Sequence, residues 1–350
     1  MHLTLLIPSL FWPDTTQPQI YEDLPLSSLE KLLSKGALRR HPAQEIDAWL
    51  CSAFNIAKQH NWPIAPIMLH ADNSSLITHN DFWMRADPVH LRIEQNHIML
   101  ADSQAFKISP EEAQQITQSF NQDVGRHYDF SLLPLRNDHW YIRLPHSPQM
   151  QTYSLGQVTC RNINDFLPTG SESIFWHKIF NETQMLLHEH PINQQRESHG
   201  ELPINSVWFW GGGIMPDSMH SQYSHIWSDD DFARALASAS HTPYSKLPIN
   251  ANEWLSDNQL SGTPLVILDN LSVHAKYRNA YEWREILKRM QNDWFFPLYQ
   301  ALKAGRINRI TLVAVNEHSL LEFEIMRSNV WKFWLMTRPL SSYIVKHDAN

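Results

Sequence analysis

The chain has 350 residues, 28 of them basic and 36 acidic, for a formal charge of −8. An apolar share of 43% and this length suit a globular protein of one large domain or two ordinary ones. No run approaches the roughly 18 to 20 apolar residues of a membrane span, two cysteines make no disulfide framework, and an acidic balance without Lys/Arg blocks argues against a duplex nucleic-acid footprint. The apolar start, Leu3 to Ile7, lacks a basic flank and is cut by Pro8 and Pro13. No signal peptide is expected, and a cytoplasmic location is the default. Protonating all 20 histidines would carry the charge from −8 to +12, so solubility should depend on mildly acidic pH.

In chain order, Leu3 to Pro8 suits a buried strand, and Leu26 to Lys35 a short helix stopped by Gly36. Pro42 to His60 carries Ile46, Trp49, Leu50, Ala53, Phe54 and Ala57 on one helical face. Pro63 and Pro66 read as breakers before a strand at Ile67-Met68-Leu69. Residues 83 to 101 are β-compatible with a turn at Gln95-Asn96, and Pro110-Glu111-Glu112 opens a helix reaching Phe120. Trp140 to Leu144 and Thr152 to Cys160 read as strands, and Thr169 to Glu172 has capping-box spacing ahead of a helix ending at Pro191. Ser206 to Trp210 is a strand running into Gly211-Gly212-Gly213, three of only ten glycines. Asp229 to Ala239 is a helix. Pro264 to Asp269 and Ile310 to Val315 look like interior parallel strands around a long helix, Asn279 to Phe296, that Pro297 kinks or restarts. Strands alternating with helices imply an α/β sheet with crossover helices.

Several of these segments resemble the archaeal-type cofactor-independent phosphoglycerate mutases of the alkaline phosphatase superfamily. The most specific is Asn205-Ser-Val-Trp208-Phe-Trp210-Gly211-Gly-Gly213, preceded by His190-Pro191-Ile-Asn193-Gln-Gln-Arg196. Arg85-Ala86-Asp87-Pro88, Leu5-Leu6-Ile7-Pro8 and Leu29-x-x-Leu32-x-x-x-Gly36 are similar to further stretches of the family. The phrases around Trp83 to Leu91 and Asn181 to Glu197 look like a bacterial offshoot, the RpfE-type regulatory proteins. The resemblance implies an alkaline-phosphatase-like α/β core, residues 1 to 80 and 200 to 350, with a smaller α+β insertion at 81 to 199 that would cover the cleft.

An active enzyme of that superfamily needs a hydroxyl nucleophile and two divalent metals held by Asp and His, which activate the nucleophile and clamp the phosphoryl oxygens. The resemblance puts the nucleophile at Leu26, with Ser27 and Ser28 available only if the register slips, and the first metal carboxylate at Ser9, with Asp14 the nearest acid. Asp269 and His274 stand where an Asp–His pair is expected, one residue too far apart, and Asn316-Glu317-His318 replaces Asp-His. The next histidine, His347, is close to the terminus. The leading expectation is therefore a catalytically degenerate relative acting by ligand sensing or protein contact, with no cofactor. The alternative is an active metal-dependent phosphatase or mutase using Mn²⁺ or Zn²⁺ on Asp14, Asp269, His274, Glu317 and His318.

Each residue also has a plainer reading. Asp269 suits a cap at a strand end, Glu317 and His318 suit an ordinary turn, and His188-Glu189-His190 lacks the spacing that sets two ligands on one helix face. The glycine triplet offers backbone amides to an anion, and Arg85 either holds a phosphate or carboxylate or pairs internally with Asp87. The expected partners are a phosphorylated small molecule or a protein, with no nucleic acid and no membrane.

Overall fold

The computed structural model describes residues 1–78, 80–94, 97–257, 260–332 and 334–344. Strand β1 (His2–Pro8) leads through a long loop to α1 (Ser27–Lys35), β2 (Ala37–His41) and α2 (Ile46–Ala53). Next come α3 (Ile64–Asn73), β3 (Phe82–Glu94), β4 (His97–Ala101), α4 (Pro110–Phe120), α5 (Arg126–Tyr128), β5 (Ser131–Pro134) and β6 (Trp140–Leu144). Then follow β7 (Met150–Gln151), α6 (Leu155–Val158), β8 (Thr169–Gly170), α7 (Ser173–His188), α8 (Pro191–Ser198) and β9 (Ser206–Gly213). After β9 lie β10 (Ile226–Trp227), α9 (Asp231–Ala239), β11 (Tyr244–Ser245), α10 (Ala251–Ser256), β12 (Leu265–Ile267) and α11 (Ser272–Lys276). The chain continues with α12 (Ala280–Met290), α13 (Phe296–Ala304), β13 (Arg309–Asn316), β14 (Ser319–Met326) and α14 (Arg327–Val330). Among the described residues no helix is long and apolar enough to cross a membrane.

Contacts divide the chain into two compact units, residues 1–54 with 220–350, and residues 55–219. The first is an α/β unit around a seven-stranded sheet of order β11-β10-β12-β1-β13-β14-β2. Strands β11, β10, β12, β1 and β13 run parallel, and β14 and β2 close one edge antiparallel. Alternation sends Leu3, Leu5 and Ile7 of β1, Ile310, Leu312 and Ala314 of β13, and Leu321, Phe323 and Ile325 of β14 to one face. They form one core with Trp283, Leu287, Phe295, Leu298 and Leu302 from the α12–α13 region. Five residues of π-helix, Gln291–Phe295, join α12 to α13, and Pro297 opens α13 in its first turn, where its missing N–H costs nothing. Gly36 ends α1 at φ −80° rather than in the left-handed conformation of a glycine stop. It is small because a Cβ there would lie 2.9 Å from Ile325 Cγ1.

The second unit is built on an antiparallel sheet in which β3 pairs with β4, β6 and β9, and β6 with β5. Phe82, Met84 and Ala86 of β3 join the core made with α4 and α7, while the alternate residues face α3. Pairing with β3 brings β9 into this unit, and α3 packs on both strands. The insertion read from the sequence spanned 81–199 and left both outside.

Several sequence expectations need correction. Residues 64–73 are helix, not strand, because Pro66 sits in the first turn, where no intrahelical donor is lost. Residues 155–158 form a helical turn capped by Ser154 and Gln157 rather than a strand. The helix expected over 42–60 is confined to 46–53, and Asn55 follows at φ 55°. Thr169–Glu172 makes no capping box, since Thr169 and Gly170 pair with β7. The box forms instead at Ser109–Glu112, ahead of Pro110. The turn expected at residues 95–96 and His347 lie outside the described residues.

Candidate functional site

Parallel strands β12, β1 and β13 point their carboxyl ends the same way, and the order of crossovers reverses around β1. Open α/β sheets place their binding crevice at such an end. Beyond β1 the chain turns at Ser9, held at φ 57°, whose N–H donates to Val315 O at 2.8 Å and whose carbonyl accepts Trp283 Nε1 at 3.0 Å. Asn316, at the end of β13, turns inward: its Oδ1 accepts Phe11 N–H at 3.0 Å, and its amide nitrogen donates to Ala314 O at 3.2 Å. Both ends of the crevice therefore serve to fix the loop that carries Phe11 and Trp12.

That loop walls a cavity of about 420 Å³ lined by Trp12, Pro13, Asp14, Gln17, Arg278 and His318, among others. Trp12 is buried with its Nε1 lacking a hydrogen-bond partner. Asp14 Oδ1 accepts Thr16 N at 2.9 Å and Thr16 Oγ1 at 2.6 Å, and these bonds hold its carboxyl below the usual range. Arg278, a non-glycine residue at φ 54°, donates from Nη2 to Glu317 Oε2 at 3.1 Å, and His318 Nε2 lies 3.8 Å from Glu317 Oε1. Glu317 and His318 also line a small adjoining cavity with Asn316 and Tyr343.

The remaining candidates fall elsewhere. Asp269 accepts Ser272 N–H on its backbone carbonyl at 2.9 Å, and burial, aided by the charge of Asp229, pushes its carboxyl pKa up. Asp230 caps α9 by accepting Ala233 N–H at 2.6 Å; burial raises its pKa to about 6, with the charges of Asp269 and Asp231 also raising it. His274 lies within α11 and is not among the residues lining either cavity. Asp14 and His318 thus line one cavity and Glu317 and His318 its small neighbour, and neither lining includes Asp269 or His274. Among the described residues no three His, Cys, Asp or Glu side chains converge as metal ligands. The residues present do not fit a two-metal cluster, because Glu317 is committed to a guanidinium where a dication would need that charge.

The nucleophile position is filled by a core residue. Leu26 is 1% exposed and packs in the main core, while Ser27 is exposed and Ser28 buried in the first turn of α1. Neither serine lines the cavity. Gln291 Oε1 accepts Leu29 N–H at 3.2 Å, so the π segment caps this helix start.

In the second unit, Arg85 and Asp87 form the internal pair that was one of the two readings of the sequence. Arg85 and Asp87 are 3% and 1% exposed, and the guanidinium meets the carboxylate at 2.6 Å (Nη2–Oδ1) and 2.9 Å (Nε–Oδ1). Asp87 also accepts Trp210 Nε1 at 2.7 Å, and Arg85 lies over the Tyr141 ring, 5.1 Å from its centre. Tyr141 donates to Asp72 at 2.6 Å, and Arg136 and His139 flank the same carboxylate at 2.9 and 3.3 Å. The glycine triplet lies buried within β9, packed closely by its neighbours. A Cβ at Gly212 would fall 2.5 Å from Met84 Cγ, one at Gly213 2.6 Å from Pro63 Cβ, and one at Gly211 3.1 Å from Ile64 Cβ. His190 caps α8, accepting Ile192 N–H on Nδ1, in place of any metal role with His188. Sequence reasoning passed over Trp12 and Arg278, and read Asn316 only as part of the stretch that replaces Asp-His. Neither Trp12 nor Arg278 belongs to a motif: Trp12 lies in the loop beyond β1, and Arg278 in the turn between α11 and α12.

No family model matches the chain. The 2,3-bisphosphoglycerate-independent phosphoglycerate mutase of Methanosarcina barkeri is 28% identical over 122 residues, 34% of this chain and 30% of that protein. A probable enzyme of the same name from Geobacter sulfurreducens is 24% identical over 146 residues, 41% of this chain and 36% of that protein. The chain thus matches about a third of the length of these relatives. The PH0037 protein of Pyrococcus horikoshii shares the fold, with a TM-score of 0.56 at 12% identity over 93% of this chain and 87% of that one. On an α/β fold of this kind, the chain is a relative of the cofactor-independent phosphoglycerate mutases, matched over part of its length.

Proposed function

We propose that the chain is a catalytically degenerate relative of cofactor-independent phosphoglycerate mutases, a cytoplasmic regulatory or ligand-sensing protein of the RpfE type. Its ligand is a phosphorylated small molecule held in the cavity between Trp12 and Arg278. One observation carries the reading: where the resemblance requires a hydroxyl nucleophile, Leu26 sits in the core. Phosphoryl transfer through the protein needs an alkoxide at neutral pH, which a hydroxyl reaches only beside a base or a metal. Losing a metal clamp removes several kcal/mol of transition-state stabilisation, hence orders of magnitude in rate. Anion binding needs neither, and Arg278 supplies a guanidinium at the cavity wall with Trp12 and Pro13 as an apolar surface.

The test is purified protein assayed for interconversion of 2- and 3-phosphoglycerate with Mn²⁺, Mg²⁺, Zn²⁺ or Co²⁺, alongside calorimetric titration with 3-phosphoglycerate. The expected result is no metal-dependent turnover and saturable binding that Arg278→Ala weakens about tenfold or more. The second reading, an active phosphatase or mutase with Mn²⁺ or Zn²⁺, draws support from Asp14 and His318 lining one cavity. Metal-dependent turnover lost in Ser27→Ala, Ser28→Ala or His318→Ala would establish it and overturn the first.

A further inference from the structure

The first unit carries an exposed apolar segment that its core does not use. Just past α14, Trp331 is 58% exposed, Trp334 65% and Met336 86%, with Leu335 also exposed. The segment carries a basic residue near each end, Lys332 beside Trp331 and Arg338 two residues beyond Met336. More cations come from neighbouring elements. Lys303 lies over the Trp331 ring, 5.6 Å from its centre, and Lys35 Nζ donates to Val330 O at 2.7 Å. Burial lowers the Lys35 pKa, and the nearby charges of Lys31 and Lys303 lower it further, which places three ammonium groups in one field. The Glu30 carboxylate is turned to this region, accepting Leu340 N–H at 3.0 Å. A chain of net charge −8 has therefore gathered cations around exposed tryptophans.

We infer that this segment docks the protein on an anionic lipid bilayer, with Trp331, Trp334, Leu335 and Met336 entering the headgroup boundary and the surrounding lysines and arginines meeting acidic headgroups. Tryptophan with flanking Lys/Arg is the composition that partitions to a membrane–water interface. Pairing of this segment with the same segment of a second copy would set like charges against each other, which opposes self-association there. The patch adjoins Met326, which pairs with Arg309 at the start of β13. It thus sits at the opposite end of the sheet from the cavity beyond β13, and docking would leave that cavity facing water. The inference departs from the sequence expectation of no membrane partner, which weighed spanning segments and not surface binding. It does not depend on the ligand reading above.

The experiment is co-sedimentation of the full chain with phosphatidylcholine vesicles, with and without phosphatidylserine. Binding is expected on the acidic vesicles, with quenching of tryptophan fluorescence by brominated lipid, and weakening as salt rises. Lys332→Gln with Arg338→Gln should lower the partition coefficient about 25-fold, taking roughly fivefold per lost cation. Trp331→Ala should lower it about tenfold. Met336→Ser, at a position open to solvent, tests the same face should Trp331→Ala disturb folding. Failure to sediment with acidic vesicles, equal binding to neutral ones, or unchanged binding in the variants would overturn the inference. So would self-association of the wild type that Met336→Ser or Trp331→Ala abolishes, since it would assign the patch to a protein contact.

Discussion

Replacing Asp87 by alanine tests whether the Arg85–Asp87 pair belongs to the fold or to a binding site. In the wild type the guanidinium is satisfied chiefly by the Asp87 carboxylate, since its contacts to Tyr141 Oη and Asp138 O are both 3.4 Å. Both side chains are almost fully buried. Removing the carboxylate strands a charge between β3 and α3, and breaking a buried pair this way costs about 3–5 kcal/mol. Trp210 Nε1 loses its acceptor as well. With a urea m-value of about 2 kcal/mol/M, the unfolding midpoint should fall by roughly 2 M. Hydrogen exchange of peptides from β3 and β9 would localise the loss to the second unit. The double variant Arg85→Met with Asp87→Leu removes both charges and should recover most of that stability, because the desolvation penalty goes with the pair. A cost below about 1 kcal/mol for Asp87→Ala, together with lost binding of 3-phosphoglycerate, would refute the reasoning and return Arg85 to the role of a ligand site.

Gly212→Val should destabilise the protein by about 1–3 kcal/mol in thermal melts, since its Cβ would press on Met84 and Phe82, and any loss of ligand binding should track that unfolding. Burial pushes the Asp72 carboxyl up, but hydrogen bonds from His139 and Tyr141 and the charges of His139 and Arg136 outweigh it, bringing its pKa to about 2 from an ordinary 3.8. Its contribution, about 2 kcal/mol, is complete above the unfolded value and lost as pH falls through about 2, so acid unfolding should be shallower in Asp72→Asn. Cys51 is buried, and burial raises its thiol pKa, so native protein should react with a thiol reagent at the half-buried Cys160 and not at Cys51 until it unfolds. Neither cysteine is in a disulfide, and mass spectrometry under non-reducing conditions should find no bridge between them.

Where sequence and structure agree, a local rule and the tertiary fold ask for the same residue. Pro110 starts α4 and Pro297 restarts a helix because proline fits a first turn, and the apolar runs 3–8 and 310–315 become neighbouring parallel strands. Where they part, one local signal has two structural uses. Pro63 and Pro66 read as breakers, yet the same property lets α3 begin there. Three glycines signal close approach without saying to what, and the partners turn out to be Ile64, Met84 and Pro63 rather than a ligand. Gly36 stops a helix in sequence but in space makes room for Ile325. The Arg85–Asp87 pair was legible as two residues on one strand face. Its closure was not, because Tyr141 and Trp210 reach it from β6 and β9.

The candidate site shows the same limit from the other side. Sheet topology fixes where a crevice opens, beyond the ends of β12, β1 and β13, and chemistry depends on what stands at those ends. Ser9 and Asn316 occupy two of them: Ser9 bonds through its own backbone N–H and carbonyl to Val315 and the Trp283 indole, and Asn316 through its side-chain amide to Phe11 and Ala314. An aspartate at either position would bring a negative charge with no lysine or arginine bonded to it there. The Asn316 amide and the Ser9 backbone hold the loop without one. The charges that remain at the crevice are Asp14, Arg278 and Glu317, and the last two, arising beyond different elements, meet only because the turn before α12 lies against the end of β13. Such a pair can admit an anion on the open side of the guanidinium, since Arg278 keeps further donors beyond the one bonded to Glu317. It has no group to carry a phosphoryl and no second cation to balance the charge of transfer. Recognition can therefore outlast chemistry at this crevice, and of the two only recognition was invisible in the motifs.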